Sequence, residues 1–479
     1  MKRILFALAA AAVVTAACTK TPDPELSVNP TSLSFESTGG SASFDVSSNV
    51  AWTVQTDNQS WYTVSTAAGE NDGQVTVTVN PYTEAAARSA SLTVTGGGLV
   101  VNVAVVQKAP VPPADPAKKE VSVIALGGEL SVEIPSGYAF SASSDAEWLT
   151  IAAQEDGLVK LAVARNTGSE SRSASVKAVL TDGTPLADIT VNQSWRNVEP
   201  GELLIEEVYF SGSPLEGSDR SSDDQYIRLT NNADHTIYAD RVMFVTNYIT
   251  GTITSAGAYY EYPDVEDGIV VEDMYVIPGS GDEYPLEPGA SLILAISAEN
   301  YQENNPAAFD LSKADFEFYG SDNDYFPDTD NPDVPNLENW FKSSFSYFSL
   351  HNRGYESYAI VYAPLSETAE SIMGDHHWSG TYYMHFNEWE FTYDIAEEDA
   401  WLIPGEWVLD AVNCCTEDSF YRNPWGPAFD AGWTHAGDYD GDPSRFGKSV
   451  RRAVDDNGKL VDTNNSTNDF IPNATPTLR

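Results

Sequence analysis

Three of the chain's six histidines fall close together, His376, His377 and His385, in Asp375-His-His-Trp-Ser-Gly-Thr-Tyr-Tyr-Met-His385. Neutral imidazoles ligate zinc, copper or haem iron. Read as a strand, the run puts His377 and His385 on one face and His376 on the other. No His-x-x-x-His helix or Cys-x-x-Cys spacing accompanies them. Their Tyr- and Trp-rich neighbours favour exposed-strand or interface histidines over ligands. Hard oxygen donors alternate in Asp438-Tyr-Asp440-Gly-Asp442 and in the run from Asp322-Asn-Asp324 to Asp328-Thr-Asp330-Asn-Pro-Asp333. Such spacing suits calcium. Yet Phe326 takes the fifth place of the first loop, and Ser449 stands where the second would need its twelfth-place Glu. Structural calcium and a solvated acidic turn both remain open, and no other cofactor is implied.

Rings supply the other candidate chemistry. Trp378, Tyr382, Trp425 and Trp433 could stack on sugar faces or rim a protein contact if exposed. In a β domain of this size most rings belong to the core. Catalytic signatures are absent: there is no Gly-x-Ser-x-Gly elbow, His-Glu-x-x-His helix, P-loop or dinucleotide fingerprint. Acid pairs such as Glu388/Glu390 and Glu397/Glu398 are expected by chance among 71 carboxylates. The expectation is a binding protein, not an enzyme.

Cys18 closes a short leader with Lys2-Arg3 at its start, apolar residues from Ile4 to Val14, and Thr15-Ala16-Ala17 before the cysteine. This is the anatomy of an export signal, too short to span a bilayer permanently. It resembles a bacterial lipoprotein signal, with Thr15 where Leu is usual. The resemblance implies cleavage of residues 1–17, acyl chains on Cys18, and a tether over 18–25. Asp23 and Glu25 extend it to surface-exposed lipoproteins of the Bacteroidetes. The expected location is the outer membrane, lipid-anchored and facing outward.

Charge narrows the partners. The chain carries a net charge of −46, and residues 199–479 alone hold 52 acidic against 13 basic groups. Such a surface repels phosphate backbones, so nucleic acid is excluded as a partner. Glycans, glycoproteins and an outer-membrane transporter remain. Apart from Cys18, only Cys414-Cys415 occur. A vicinal bridge needs a strained ring, so two buried thiols are favoured over a disulfide.

The elements that would position these residues are strands. Residues 26–109 carry a Gly39-Gly40 turn, Ser48-Asn-Val-Ala-Trp52, Val75-Thr-Val-Thr-Val79, Arg88-Ser-Ala-Ser-Leu92 and a closing Val105-Val-Gln107. Residues 118–196 repeat the scheme with Gly127-Gly128, Trp148, Arg172-Ser-Ala-Ser-Val176 and Val191-Asn-Gln193. Alternating apolar and polar positions with Gly-rich punctuation mean two small antiparallel sandwiches, joined by a Pro-rich link over 110–117. Both copies resemble the BACON domain, the carbohydrate-associated, often N-terminal domain of Bacteroidetes surface proteins. That resemblance implies immunoglobulin-like sandwiches and, for some members, glycan or mucin binding. Trp52, Trp61 and Trp148 fall on core or rim positions, which favours a spacer role.

Residues 199–479 open with the strand Glu202-Leu-Leu-Ile-Glu-Glu-Val-Tyr-Phe210, followed by Gln225-Tyr-Ile-Arg-Leu-Thr-Asn-Asn-Ala-Asp234 and Tyr238-Ala-Asp240. This opening resembles lamin-tail-like domains. The ending, Gly447-Lys-Ser-Val-Arg-Arg452 with Asp462-Thr-Asn-Asn-Ser466, Asp469-Phe470 and Pro472 to Pro476, resembles an uncharacterised domain family of Bacteroidetes lipoproteins. The expected architecture is all-β: two immunoglobulin-like sandwiches, then a larger lamin-tail-like sandwich with long loop insertions. The expected function is capture of an extracellular glycan or glycoprotein. Haem or metal-nutrient capture for a transporter, and adhesion or scaffolding without a small ligand, are the alternatives.

Overall fold

The computed structural model describes residues 22–478 other than 249, 253–256, 262–264, 321–326, 387–388 and 395–399. Cys18 and its leader lie outside the described residues. Among the described residues the regular secondary structure is nearly all strand, with only short helices. No helix among the described residues is long and apolar enough to cross a membrane.

The chain divides into two compact units. The first takes in residues up to Lys119 with Glu129–Ala162 and Ser175–Thr190. Its opening sandwich sets a four-stranded sheet (Leu26–Asn29, Gly40–Ser48, Gly73–Val79, Tyr62–Val64) against a five-stranded one (Ser32–Phe35, Leu99–Gln107, Arg88–Gly96, Ala51–Gln55, Ala68–Glu70). Every second residue of Gly73–Val79 and Arg88–Gly96 turns inward, as the period of a strand requires. Phe44, Val75, Val77, Leu92, Val94, Val103 and Val105 fill the space between. Trp52 is only 2% exposed, its indole N–H donating to the Asn71 carbonyl at 2.8 Å. Gly69 leaves room for it, since a Cβ there would sit 2.3 Å from Trp52 Cζ2.

The repeated motifs have structural work in both copies. Gln107 is fully buried; its Oε1 accepts from Arg88 Nε at 2.9 Å, and its Nε2 donates to the Asn80 carbonyl at 2.9 Å. In the second copy Arg172 Nε donates to Gln193 Oε1 at 2.8 Å, and Gln193 Nε2 donates to the Ala164 carbonyl at 3.0 Å. The arginine of Arg-Ser-Ala-Ser and the closing glutamine thus fasten a strand pair to the neighbouring turn. Gly39 and Gly127 sit at φ +77° and +72°, and a Cβ on either would strike a carbonyl oxygen at 2.3 or 2.4 Å. Only glycine fits there.

The second unit holds Glu120–Gly128, Val163–Ala174 and Val191–Arg479, so it takes in the turn end of the second sandwich. Arg165 Nη1 donates to the Ser280 carbonyl at 2.7 Å, and Asn197 Nδ2 to the Gly281 carbonyl at 2.8 Å. A six-stranded sheet runs Phe316–Glu317, Ser291–Ala295, Tyr226–Asn231, Leu203–Tyr209, Ser449–Arg452, Phe470–Ala474. The second large sheet runs Glu338–Phe341, Gly268–Val276, Val242–Asn247, Ser357–Tyr362, Val408–Cys415, Thr434–His435, with Trp401–Pro404 added beside Gly268–Val276. Several central strands are buried along their whole length, hence their near-continuous apolar runs.

Many acids of this unit are structural. Asp410 and Arg452 are buried, with Arg452 Nη2 donating to Asp410 Oδ1 at 2.7 Å and Oδ2 at 2.6 Å. Arg452 Nε also donates to the Ile205 carbonyl, and the Ile205 N–H donates to Asp410, so the pair ties Val408–Cys415 to Leu203–Tyr209. Asp430 accepts from the Asn413, Gly432 and Ser466 N–H groups, and Asp469 from those of Thr463 and Asn465. Cys414 and Cys415 are buried free thiols, pushed well above the usual thiol range by desolvation.

Candidate functional site

A small antiparallel sheet of Ala258–Glu261, Thr381–Phe386 and Trp389–Asp394 carries the largest group of exposed rings among the described residues. Register pairs Ala258 with Phe386 and Phe386 with Trp389, Tyr260 with Met384 and Met384 with Phe391, and Tyr382 with Tyr393. Cross-strand partners share a face, so Trp389, Phe391 and Tyr393 form a row on one side of the edge strand. They are 70%, 43% and 41% exposed. Alternate strand residues lie about 6.7 Å apart, so the row spans about 13 Å. On the opposite face Tyr259 stacks on His385 at 4.8 Å, and His385 Nε2 pairs with Glu261 at 3.1 Å.

Tyr260 and Tyr382 belong to the same face as the row and also line a cleft of about 480 Å³ with Asn247, Tyr248, Thr252, Glu272, Tyr355 and Glu356. Tyr382 stacks against Tyr393 at 5.4 Å, which joins the cleft to the exposed row. Glu356 accepts from the His351 N–H at 3.0 Å and the Tyr358 hydroxyl at 2.8 Å. Burial pushes its carboxyl from 4.5 to about 7. The His351 ring stacks on Tyr355, and burial lowers its pKa to about 4, so it is neutral at pH 7. A cleft walled by phenol rings, an amide, threonine hydroxyls, a neutral imidazole and the carboxyls of Glu272 and Glu356 offers both stacking faces and hydrogen-bonding groups to a polyhydroxylated ligand.

The structure separates most sequence candidates. Tyr382 lies in the cleft and Trp378 packs half-buried beside it against Val270 and Ala400. Trp425 is 3% exposed and donates its indole N–H to the Val270 carbonyl at 2.9 Å, so it is a core residue and not a stacking platform. Trp433 is half-buried and stacks on Phe420 at 5.2 Å. His376 Nδ1 pairs with the Leu402 carbonyl at 3.1 Å, His377 is exposed, and His385 is held by Glu261. Among the described residues these three do not form a ligand group.

Asp438, Asp440 and Asp442 also disperse. Asp442 caps the short helix Pro443–Arg445 and accepts the Asp438 N–H. Asp440 pairs with Arg353 at 2.8 Å. An alternating calcium loop is therefore not built: the Asp442 carboxylate serves the turn, that of Asp440 serves Arg353, and only that of Asp438 is left uncommitted by them. In the other acidic run, Asp322 and Asp324 lie outside the described residues, and Asp328 accepts the Gly320 N–H. Of the acid pairs, Glu390 is exposed on the edge strand; Glu388, Glu397 and Glu398 lie outside the described residues. Sequence reasoning missed Phe391 and Tyr393 as candidates. The readable signal was the ring–polar alternation Trp389-Glu-Phe-Thr-Tyr393.

Comparison with known proteins finds matches to separate stretches of the chain. Residues 50–108 and 138–194 match BACON, described as "Putative binding domain, N-terminal". Residues 287–477 match DUF4876, a protein family of unknown function. No curated protein matches. A solved DUF4876 family protein from Bacteroides thetaiotaomicron is 21% identical, covering 76% of this chain and 96% of that one with a TM-score of 0.45. A Bacteroides ovatus GH5 xyloglucanase, solved with a XXXG heptasaccharide, is 25% identical over 20% of this chain and 22% of its own, with a TM-score of 0.18. Another Bacteroides thetaiotaomicron protein, solved by NMR, is 21% identical over 20% of this chain and 97% of its own, with a TM-score of 0.15. The chain thus matches the BACON model in two N-terminal stretches and the DUF4876 model over residues 287–477.

Proposed function

We propose that this chain is a non-enzymatic surface lipoprotein, anchored to the outer membrane through acylated Cys18, that captures a neutral glycan on the aromatic row and cleft of its C-terminal domain. One observation carries the reading: Trp389, Phe391 and Tyr393 stand exposed in a line that continues into a tyrosine-walled cleft. Large exposed rings in a contiguous patch mark a binding surface. Aromatic faces stack on the apolar face of a pyranose, and a row of about 13 Å matches a short oligosaccharide better than a single sugar. The acidic surface of residues 199–479 disfavours anionic polysaccharides. The BACON matches support a carbohydrate-associated role, while Trp52 and the Arg–Gln fasteners serve structure, which supports a spacer role for the N-terminal sandwiches. The C-terminal domain is taken as a lamin-tail-like sandwich on its opening strand and turn sequence. Haem capture loses its basis, because the three histidines that suggested it have separate partners or stand alone.

A glycan array probed with the full-length protein is expected to return uncharged oligosaccharides and no sulfated or uronic-acid chains. Hits confined to anionic glycans would sink the reading. The anchor is tested separately by labelled palmitate. Incorporation in the natural chain and none in Cys18→Ser is expected; equal labelling of both would remove Cys18 as the attachment point.

A further inference from the structure

The turn after Val408–Cys415 and the strand Thr434–His435 bring Glu417, His435 and Asp438 together, one ligand-type atom of each lying within 4.8 Å of the others. The parallel pair Cys415–His435 sets the strands side by side. The Glu417 N–H donates to the Gly437 carbonyl at 3.4 Å, and the Asp418 N–H to the Asp438 carbonyl at 3.2 Å. Gly437 is held in turn by Asn473 Oδ1, which accepts its N–H at 2.8 Å. Both sides of the cluster are therefore fixed by backbone bonds. The neighbouring acid, Asp418, accepts from the Thr416 and Ser419 hydroxyls at 3.1 and 2.9 Å, and Asp442 is committed to the turn. Among the described residues no hydrogen bond reaches the side chains of Glu417, His435 or Asp438. Lys448 is the nearby cation whose charge reaches His435. Two carboxylates and an imidazole thus stand close together without a hydrogen-bond partner among the described residues.

We infer that Glu417, His435 and Asp438 form a site for one divalent transition-metal ion such as zinc, outside the aromatic face. One nitrogen and two carboxylate oxygens are a donor set that zinc accepts, whereas calcium seeks oxygen alone. Like charges held within 4.8 Å repel, and a dication between them turns that cost into binding energy. Glu417 and Asp438 are exposed, so ions enter freely and the remaining coordination positions face solvent. The bound ion would cross-link the turn after Val408–Cys415 to the following strand.

Zinc titrated calorimetrically into chelator-stripped full-length protein should bind with one ion per chain at this site. His435→Ala and Asp438→Asn should each weaken that binding by more than about 100-fold, beyond the loss typical of outer-shell partners. Asp438→Asn is an isosteric change on an exposed side chain and keeps the test valid if His435→Ala fails to fold by circular dichroism. Cobalt in place of zinc should show ligand-field bands without thiolate charge transfer, and Cys415→Ser should leave affinity unchanged. Absence of zinc binding, zinc binding unaltered by both substitutions, or calcium binding that survives His435→Ala would each overturn the assignment.

Discussion

Arg452→Ala should lower stability by about 3–5 kcal/mol, the cost of leaving one partner of a buried ion pair alone. The arginine is 2% exposed and Asp410 5%. Removing the guanidinium strands the Asp410 carboxylate, together with the Ile205 and Val461 carbonyls that Arg452 also satisfies. Asp410 bonds the Ile205 N–H, so the damage reaches the contact between strands of the two large sheets. Thermal unfolding followed by near-ultraviolet dichroism is the measurement. Arg452→Met with Asp410→Leu should recover most of the loss, because an apolar pair of similar volume needs no desolvation offset. A single substitution costing under about 1 kcal/mol would show the pair to be solvated, as for surface ion pairs.

Trp52→Ala should cost about 3–5 kcal/mol in the N-terminal sandwich while leaving ligand capture by the C-terminal domain intact. The indole fills the space between two sheets, touches the Gly69 and Gly73 positions and satisfies the Asn71 carbonyl. Its loss leaves a cavity that rigid sheets close only partly. Limited proteolysis should cut the opening sandwich first, and the unfolding transition of the second unit should stay within error of the natural chain. Retained protease resistance with lost glycan binding would instead make Trp52 a ligand contact.

Sequence alone carried the sandwiches because strand period and glycine punctuation are local properties. Val75-Thr-Val-Thr-Val79 can bury only one face, and Gly39 and Gly127 occupy positions that exclude a Cβ. The Arg–Gln fasteners were visible as repeated residues, but their pairing across 19 and 21 positions needed the fold. Trp425 and Trp389 illustrate what period cannot tell. Both are tryptophans in polar surroundings, yet one is 3% and the other 70% exposed, since exposure depends on which sheet covers them. The aspartates of 438–442 looked like a ligand loop by spacing; Arg353 and the turn N–H groups claim two of them, and the third meets residues three and 21 positions away. Glu417 and His435 carry no motif because separate segments bring them together.

The central claim is capture of a neutral glycan by the exposed row, and titration of the strongest uncharged oligosaccharide from the array tests it most directly. Trp389→Ala should weaken affinity about tenfold, and Trp389→Ala with Tyr393→Ala about 100-fold, at about 1.4 kcal/mol per lost ring. Unchanged affinity in the double variant, with the fold intact by dichroism, would contradict it.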